Sequence, residues 1–372
     1  MIYSKLVIIS THELDRRITV LFQTEELWRR GIRIEYWNVS KITFNEHVNP
    51  WDSQVPVIAI GSRAEFEELV ARNYDASPLY IVYMNYCHTT YYCYRTLSKY
   101  TANIAYCING VLPQALIPYR RFTLFNLIKS IKNRFALLAL KTDWIRPAMF
   151  ELRTCLKAGH AYKVDAHTIV RGFNSTDFED SLHVSPNMEE GSYLVFLDQY
   201  LPFHKDNTLA GEKGLNAQLY YDQLNKMFDI IESTYKSRVI IAAHPAAKSY
   251  LDRNPFNGRK LITGKTKELV AGSMAVIAHC STAIFFSVIY KKPLLIVSSD
   301  DIANNLKRIH SFSEAFANEL HLDILFMDTI DKYVHIKNID DFSYNSFKYN
   351  YITTPETENC SNADSLMEIL GV

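Results

Sequence analysis

Two polar pairs follow apolar, strand-like segments in the second half of the chain. His244-Pro245 comes directly after Val239-Ile-Ile-Ala-Ala243, and Ser281-Thr282 comes shortly after Met274-Ala-Val-Ile-Ala278. Ligands of parallel α/β sheets bind beyond the carboxyl ends of the strands, where backbone N–H groups and helix N-termini converge. An imidazole and two hydroxyl groups at that edge can all donate hydrogen bonds to phosphate oxygens. The spacing therefore predicts one anion-holding site.

A third motif lies between these pairs in the sequence. Gly264-Lys-Thr-Lys-Glu268 supplies a turn and then a helix start, and its carboxylate could accept hydrogen bonds from the two hydroxyls of a ribose. Each motif also has an ordinary structural interpretation. His244 could be a capped core histidine, Ser281 or Thr282 a helix N-cap worth ~1 kcal/mol, and Glu268 part of a solvated first turn.

The elements that must position these residues form two series of alternating strands and helices. Strands separated by helices of this length indicate βαβ crossovers and parallel sheets. We therefore predict two Rossmann-like domains, an N-terminal domain over 1–175 and a C-terminal domain over 192–345, joined by a polar linker at 176–191. A C-terminal segment, 346–372, is predicted to pack back on the first domain with a helix over Asp364–Leu370. Predicted strands are Leu6–Ile9, Ile32–Tyr36, Val55–Ile60, Leu79–Tyr83, Tyr193–Leu197, Val239–Ala243, Lys260–Thr263, Met274–Ala278 and Pro293–Val297; predicted helices are Glu13–Arg30, Ala64–Ala71, Asn216–Tyr235, Ala283–Tyr290 and Ile302–Leu320, with a helical region between Leu116 and Ala158.

The ordered set of His-Pro, Gly-x-x-x-Glu-Leu and Ser-Thr before an apolar helix and Lys292-Pro293 resembles the nucleotide-binding half of bacterial GT-B glycosyltransferases that use CMP-activated sugars. These families include bacterial sialyltransferases, polysialyltransferases and Kdo transferases, and the similarity covers roughly residues 192–300. The resemblance implies an α/β GT-B fold whose two Rossmann-like domains face each other across a cleft, with a CMP-sugar donor and no metal or other cofactor. The nucleotide-binding residues that it implies are His244, Pro245, Gly264, Lys265, Glu268, Ser281 and Thr282.

A catalytic carboxylate belongs to the same families, and two candidates compete for it. Glu189-Glu190-Gly191 matches an acidic-acidic-Gly motif but lies in the predicted linker, whereas Asp198 ends the strand Tyr193–Leu197. We favour Asp198, facing the cleft, as the base that deprotonates the acceptor or as the nucleophile of a retaining enzyme. A turn-capping Asp198 is the structural alternative. His244 would stabilise the departing CMP, and His204 is a further cleft candidate.

The function implied is transfer of a 2-keto-3-deoxy sugar, Kdo or a sialic-acid-like nonulosonate, from its CMP-sugar to a surface glycan such as lipopolysaccharide, O-antigen or capsule. One alternative is a teichoic-acid-type glycerophosphotransferase using CDP-glycerol, for which His12 is the candidate second histidine. Another is a non-catalytic nucleotide-sugar-binding protein on the same fold.

The interval between Asp75 and Asp143 contains eight lysines and arginines and no acidic residue. Within it, residues 119–134 interleave apolar and basic side chains as an interfacial helix does, which makes peripheral contact with anionic lipid or a glycolipid acceptor one interpretation. The other is an amphipathic helix packed on the first sheet. Candidate acceptor residues are His12, His204, Arg120 and Arg121.

Composition excludes several other classes of protein. The 372 residues carry a formal net charge of zero, which argues against a general nucleic-acid binder. The six cysteines include no CxxC pair, so neither a zinc ribbon nor a disulfide scaffold is indicated. No GxGxxG or P-loop motif is present. These features favour a cytoplasmic protein, peripheral at most to the inner face of the cytoplasmic membrane.

Overall fold

The computed structural model of the protein describes residues 3–44, 54–73, 76–101, 103–108, 110–115, 124–142, 144–159, 163–182 and 191–372; the side chains of 124–129 and 251 are outside this description. The chain divides into two compact units. Unit 1 comprises Met1–Val111, Arg120–Glu179 and Tyr349–Val372, and unit 2 comprises Leu112–Tyr119 and Asp180–Lys348.

Unit 1 is built on a parallel sheet. Its described strands are β1 (Leu6–Ser10), β2 (Ile34–Asn38), β3 (Val57–Ala59), β4 (Leu79–Tyr83), β5 (Ile104–Ile108), β6 (Phe150–Arg153) and β7 (Ile169–Gly172). They are arranged in the order β3-β2-β1-β4-β5-β6-β7. The central strand β1 is buried along its whole length because apolar side chains cover both faces of the sheet. This two-sided burial explains its continuous apolar sequence.

Helices connect these strands. Those before the second sheet are α1 (Arg16–Phe22), α2 (Thr24–Arg29), α3 (Ser40–Phe44), α4 (Arg63–Arg72), α5 (Tyr91–Tyr100), α6 (Leu124–Ala139) and α7 (Thr176–Ser181). The single helix predicted over Glu13–Arg30 is two helices, because Gln23 adopts a left-handed conformation with φ 47° between them.

Unit 2 repeats the same strand order on a second parallel sheet. Its described strands are β8 (Tyr193–Leu197), β9 (Arg238–Ala242), β10 (Leu261–Ile262), β11 (Ala275–Ala278), β12 (Leu294–Ser298) and β13 (Ile324–Phe326), in the order β10-β9-β8-β11-β12-β13. The connection direction reverses between β8 and β11, which is the switch point of such a sheet. The helices are α8 (Lys205–Leu209), α9 (Ala217–Tyr235), α10 (Thr266–Gly272), α11 (Ile284–Ile289), α12 (Asp300–Asn305), α13 (Lys307–Leu320) and α14 (Asp341–Tyr351), with short 3₁₀ turns at Leu201–Phe203, Lys248–Leu251 and Met327–Thr329.

The chain ends in α15 (Asn362–Leu370), a helix of unit 1, where a helix was predicted. Its apolar residues Ala363, Leu366 and Leu370 are buried in the same cluster as Leu6 and Ile8 of β1. Ser361 caps its N-terminus in a capping box with Asp364. The tail is therefore part of the core of unit 1.

One sequence prediction for the middle of the chain was wrong. The region predicted as helical between Leu116 and Ala158 contains β6, a strand with the unpatterned sequence Phe-Glu-Leu-Arg. The strand β7, which was not predicted, lies at the sheet edge, where three of its four residues are exposed, and the segment 176–191 begins with α7. An exposed edge strand does not need apolar side chains, so its sequence resembles a loop.

Among the described residues, no helix is both long enough and apolar enough to cross a lipid bilayer.

Candidate functional site

The predicted nucleotide-binding residues lie along one edge of the sheet of unit 2. His244 follows β9, Gly264 follows β10, and Ser281 follows β11. Strands β10, β9, β8 and β11 are parallel neighbours, so these loops all leave from their carboxyl ends. With adjacent strands about 4.8 Å apart, the loops span roughly 15 Å.

Asp198, at the end of β8, is buried at 5% exposure, which corrects the prediction that its carboxylate faces an open cleft. Its Oδ1 accepts hydrogen bonds from the Tyr200 backbone N (3.0 Å) and the Tyr250 hydroxyl (3.3 Å). Its Oδ2 accepts one from the His244 backbone N (3.1 Å). Burial raises the pKa of the Asp198 carboxyl above its usual range. The carboxylate thus joins the loops after β8 and β9. This role resembles the structural interpretation of Asp198 as a residue that caps a turn.

His244 is half-buried, and one of its two ring nitrogens is held by a hydrogen bond from the backbone. Its Nδ1 accepts a hydrogen bond from the Ala246 backbone N at 3.2 Å. Burial, followed by the neighbouring His204, lowers the pKa of His244. A neutral imidazole whose Nδ1 accepts must carry its proton on Nε2, so His244 is a hydrogen-bond donor at neutral pH.

His204 lies beside His244, as a second histidine at the same sheet edge. The two ring centroids are 5.1 Å apart with an interplanar angle of 71°. Its Nδ1 accepts a hydrogen bond from the Asp206 backbone N at 3.2 Å, capping α8. The neutral ring therefore also carries its proton on Nε2. Two imidazole N–H donors on neighbouring loops favour an anionic oxygen as ligand.

Ser281 and Thr282 occupy the turn before α11, with Ser281 partly exposed and Thr282 exposed. The Ser281 hydroxyl accepts from the Ala283 backbone N at 3.2 Å, but Ala283 itself is the N-cap position and α11 has no side-chain cap. The prediction that one hydroxyl is the N-cap was therefore wrong by one or two positions. The Ser-Thr pair instead forms a hydrogen-bonded turn, in which the Ser281 carbonyl accepts from the Ile284 N (3.1 Å) and the Thr282 carbonyl from the Phe285 N (3.0 Å).

Gln199 was missed by the sequence analysis although it follows Asp198 directly. Its Oε1 accepts a hydrogen bond from the Cys280 backbone N at 2.9 Å, which ties the end of β8 to the loop after β11. This bridge crosses the switch point. Its position directly after Asp198 was the only feature of the sequence that could have indicated a role at the site.

Glu268 lies in the first turn of α10, after Gly264, whose φ of 71° favours glycine. Its Oε2 is buried and has no hydrogen-bond partner among the described residues. A buried, unpaired carboxylate oxygen is costly unless a ligand satisfies it. Burial raises the pKa of Tyr290, the residue that follows α11, and the charges of Asp180 and then Glu268 add to this shift. Lys265 is exposed, and Lys267 instead pairs with Asp180 at 2.7 Å.

The network behind the site also escaped sequence analysis. Tyr250 and Tyr221 share a hydrogen bond of 2.9 Å between their hydroxyls. His279 is fully buried, with Nδ1 donating to the Val297 carbonyl (2.7 Å) and Nε2 accepting from the Tyr220 hydroxyl (3.0 Å). Burial lowers its pKa to about 4. These partners are far apart in the sequence, and no local pattern pairs them.

The remaining candidates lie elsewhere. His12 is an exposed residue of unit 1, where its carbonyl accepts from Tyr36 Oη (2.7 Å) and Asn38 Nδ2 (2.8 Å). Arg120, Arg121, Glu189 and Glu190 are outside the described residues. In the part of the chain that the structure describes, no three His, Cys, Asp or Glu side chains converge as metal ligands would. Ser299 caps α12, with its hydroxyl accepting from the Ile302 backbone N at 3.2 Å.

No protein-family model matches the sequence, and comparison with curated proteins gives no match. Solved structures do resemble it. The UDP-GlcNAc 2-epimerase from Methanocaldococcus jannaschii matches with a TM-score of 0.51 and 13% identity, over 99% of each chain. The wall teichoic acid polymerase TagF gives a TM-score of 0.48 at 11% identity over 100% of this chain and 88% of its own, and MurG from Acinetobacter baumannii gives 0.45 at 6% over 88% and 87%. The fold is GT-B, an α/β fold with two Rossmann-like domains.

Proposed function

We propose that the protein is a glycosyltransferase that holds the nucleotide of an activated-sugar donor at the carboxyl edge of the unit 2 sheet. The observation that carries this proposal is the His244 imidazole, whose loop is anchored by Asp198 and whose Nε2–H is left as a donor. The fold supports a nucleotide-sugar as ligand, since the similar epimerase acts on one by its name.

The chemistry assigned to the site is stabilisation of a departing nucleotide. Glycosyl transfer places negative charge on the leaving phosphate, and preorganised donors aimed at developing charge lower the barrier. His244 donates to that phosphate, with His204 beside it and the Ser281-Thr282 turn on the far side of the switch point. Asp198 is a positioning residue in this scheme, because its oxygens already hold main-chain N–H groups.

We assign a cytidine nucleotide to the donor. The support is the succession of His-Pro, Gly-x-x-x-Glu and Ser-Thr on consecutive strand-end loops of one parallel sheet. Glu268, in the first turn of α10, is the acceptor proposed for the ribose hydroxyls. The resemblance to CMP-sugar transferases extends the proposal to Kdo or a nonulosonate as sugar and a surface glycan as acceptor, without a metal.

A CDP-glycerol glycerophosphotransferase is the second candidate, and the histidine pair favours it. With Asp198 buried, the groups at the edge that can exchange protons are His244 and His204 rather than a carboxylate. Attack on phosphorus needs one group to receive the acceptor proton and another to stabilise the leaving group. His204 fills the place that the sequence analysis gave to His12. To receive the acceptor proton at Nε2, its ring must take the Nδ1–H tautomer and give up the hydrogen bond from the Asp206 backbone N.

Thermal stabilisation by nucleotides tests the proposal. A ligand that binds only the native state at a hundredfold excess over Kd stabilises it by about 2.7 kcal/mol. We expect CMP or CDP to raise the Tm, and His244→Ala to abolish the shift while retaining the fold. The matched control is His335→Ala, at an exposed histidine of unit 2, which should respond as wild type.

The pattern of nucleotides decides among the alternatives. A CMP response accompanied by CMP release from a CMP-sugar supports the first candidate, and turnover of CDP-glycerol supports the second. Stabilisation by UDP alone, or by none of CMP, CDP, UDP, GDP and ADP, would contradict the cytidine assignment.

A further inference from the structure

Helix α6 carries its apolar stripe on the side that faces solvent. Ile131, Phe135 and Leu138 are spaced i, i+4 and i+7, so they share one face of the helix. They are 46%, 69% and 54% exposed. Surface helices of globular domains normally bury such a stripe.

The opposite face of α6 is the one attached to unit 1. Asn133 Oδ1 lies 2.7 Å from His88 Nδ1, and the Ala136 carbonyl accepts from the Tyr86 hydroxyl at 2.6 Å. Ala136 is buried at 7% exposure. Asn133 and Ala136 are three residues apart and lie across the helix from Phe135. The hydrogen bonds of Asn133 and Ala136 thus fix the rotation of the helix about its axis, and this rotation turns the apolar stripe toward solvent.

Basic side chains border the apolar stripe on both sides. At 100° per residue, Arg134 lies along one border and Lys132 along the other, while Lys141 follows two residues after the helix ends at Ala139; all three are exposed. No acidic residue occurs from position 76 to 142. An exposed apolar stripe between rows of lysine and arginine is the pattern of helices that lie in the interface of an anionic bilayer.

A groove beside the stripe extends the apolar surface. It has a volume of ≈ 520 Å³ and is lined by Tyr91, Phe135, Leu138 and Trp144, among others. Trp144 is 60% exposed, and the Arg95 guanidinium lies 5.2 Å from its ring centroid. Tryptophan and arginine together are typical of membrane–water interfaces, where the ring sits at headgroup level.

We propose that this surface, Ile131, Phe135, Leu138 and Trp144 bordered by Lys132, Arg134 and Lys141, docks unit 1 on an anionic lipid bilayer. The surface differs from the one predicted from sequence at 119–134, because the exposed apolar residues extend to Trp144. Charge complementarity decides the occupant, since a membrane carrying anionic headgroups matches the basic borders. The proposal does not depend on the glycosyltransferase assignment.

Vesicle sedimentation of the full chain tests the surface. Phosphatidylcholine vesicles with about one-third phosphatidylglycerol should bind the protein, pure phosphatidylcholine vesicles should bind it more weakly, and ~0.5 M NaCl should release it. The double variant Phe135→Ser/Leu138→Ser should lose at least about tenfold in vesicle affinity. Lys132→Glu and Arg134→Glu should each cost roughly fivefold or more.

The matched control is Phe342→Ser, at a phenylalanine of unit 2 that is 75% exposed, which should bind vesicles as wild type. Because all the substituted side chains are exposed, circular dichroism and Tm should remain at their wild-type values. Absence of vesicle binding, binding without preference for anionic lipid, or unchanged binding by Phe135→Ser/Leu138→Ser would overturn the proposal. So would a concentration-dependent dimer that this double variant abolishes, since the occupant would then be a second copy.

Discussion

The chemical character of His244 depends on residues that hold it rather than on the histidine itself. Asp198 accepts a hydrogen bond from the His244 backbone N–H, and the Ala246 backbone N–H donates to the His244 Nδ1. The neighbouring His204 adds to burial in keeping the ring neutral. The sequence predicted that Asp198 and His244 lie at one strand edge, but not that Asp198 is buried. That burial needs Tyr250, a partner 52 residues away that no local pattern identifies.

Asp198→Asn separates positioning from base catalysis at this residue. An amide offers one acceptor oxygen, so either the Tyr200 or the His244 N–H faces an NH₂ group in the variant. We expect a loss of about 1–3 kcal/mol in the free energy of unfolding, together with weaker nucleotide binding. Urea denaturation and nucleotide titration measure the two effects.

Tyr250→Phe is the comparison variant, because it removes one hydroxyl donor to Asp198 and leaves both backbone bonds. Its cost should be about 1–3 kcal/mol, because the buried Tyr221 hydroxyl also loses its partner, but nucleotide affinity should change less than in Asp198→Asn. If Asp198→Asn abolished turnover with unchanged stability and nucleotide affinity, Asp198 would be a base and the positioning role would be wrong.

At the scale of elements, the strands that could be predicted from the sequence are those buried on both faces of the sheet. Strands β8, β9, β11 and β12 are buried almost throughout, and all were predicted from continuous apolar runs. Strand β7 is at the sheet edge and exposed, and it is not among the strands predicted from the sequence. It is held by parallel pairing with β6 and by the approach of the C-terminal segment at Gly172, and such contacts leave no periodic signal.

Gly172, the last residue of β7, shows how closely that segment approaches. A Cβ at this position would collide with Thr354 Oγ1 and lie 2.9 Å from Thr357 Cγ2. We therefore expect Gly172→Ala to destabilise unit 1 by about 1–3 kcal/mol, since overpacking forces the backbone apart. Thermal or urea denaturation gives the value.

Gly159→Ala is the matched control, because no atom of the described residues lies within 4 Å of its Cβ position and its φ is not in the left-handed region. It should match wild type within about 0.5 kcal/mol. Equal stability of both variants would show that the C-terminal segment does not pack on β7 as described.

At the scale of the whole molecule, the two units share a strand order but carry different buried ionisable groups. In unit 1, Glu179 is fully buried, with its oxygens 3.0 Å from Asn174 Nδ2 and from the Asn362 backbone N at the start of α15. Burial raises its pKa to about 7. In unit 2, burial lowers the pKa of His279 to about 4. The repeated alternation of strands and helices predicted both Rossmann-like units, but it contains no signal for these groups.

Opposite pKa shifts give the two units opposite dependences on pH. Between pH 4.5 and 7 the folded protein keeps a proton on Glu179 that the unfolded chain releases, so the stability of unit 1 falls as pH rises through this window. His279 binds its proton more readily when unfolded, so its contribution to unit 2 rises between about pH 4 and 6.5. A spectroscopic signal that reports the unfolding of both units would combine the two opposite pH dependences.

Tryptophan fluorescence isolates unit 1, because Trp28, Trp37, Trp51 and Trp144 are all the tryptophans of the sequence and belong to it. We expect Glu179→Gln, which cannot ionise, to gain stability relative to wild type as pH rises from 4.5 to 7, by up to roughly 3 kcal/mol. The measurement is urea denaturation followed by this fluorescence at several pH values. Comparing the two proteins at each pH cancels the other titrating groups. A difference in unfolding free energy that stays constant with pH would mean that Glu179 has an ordinary pKa, and that its charged form is the one that binds Asn174 and the start of α15.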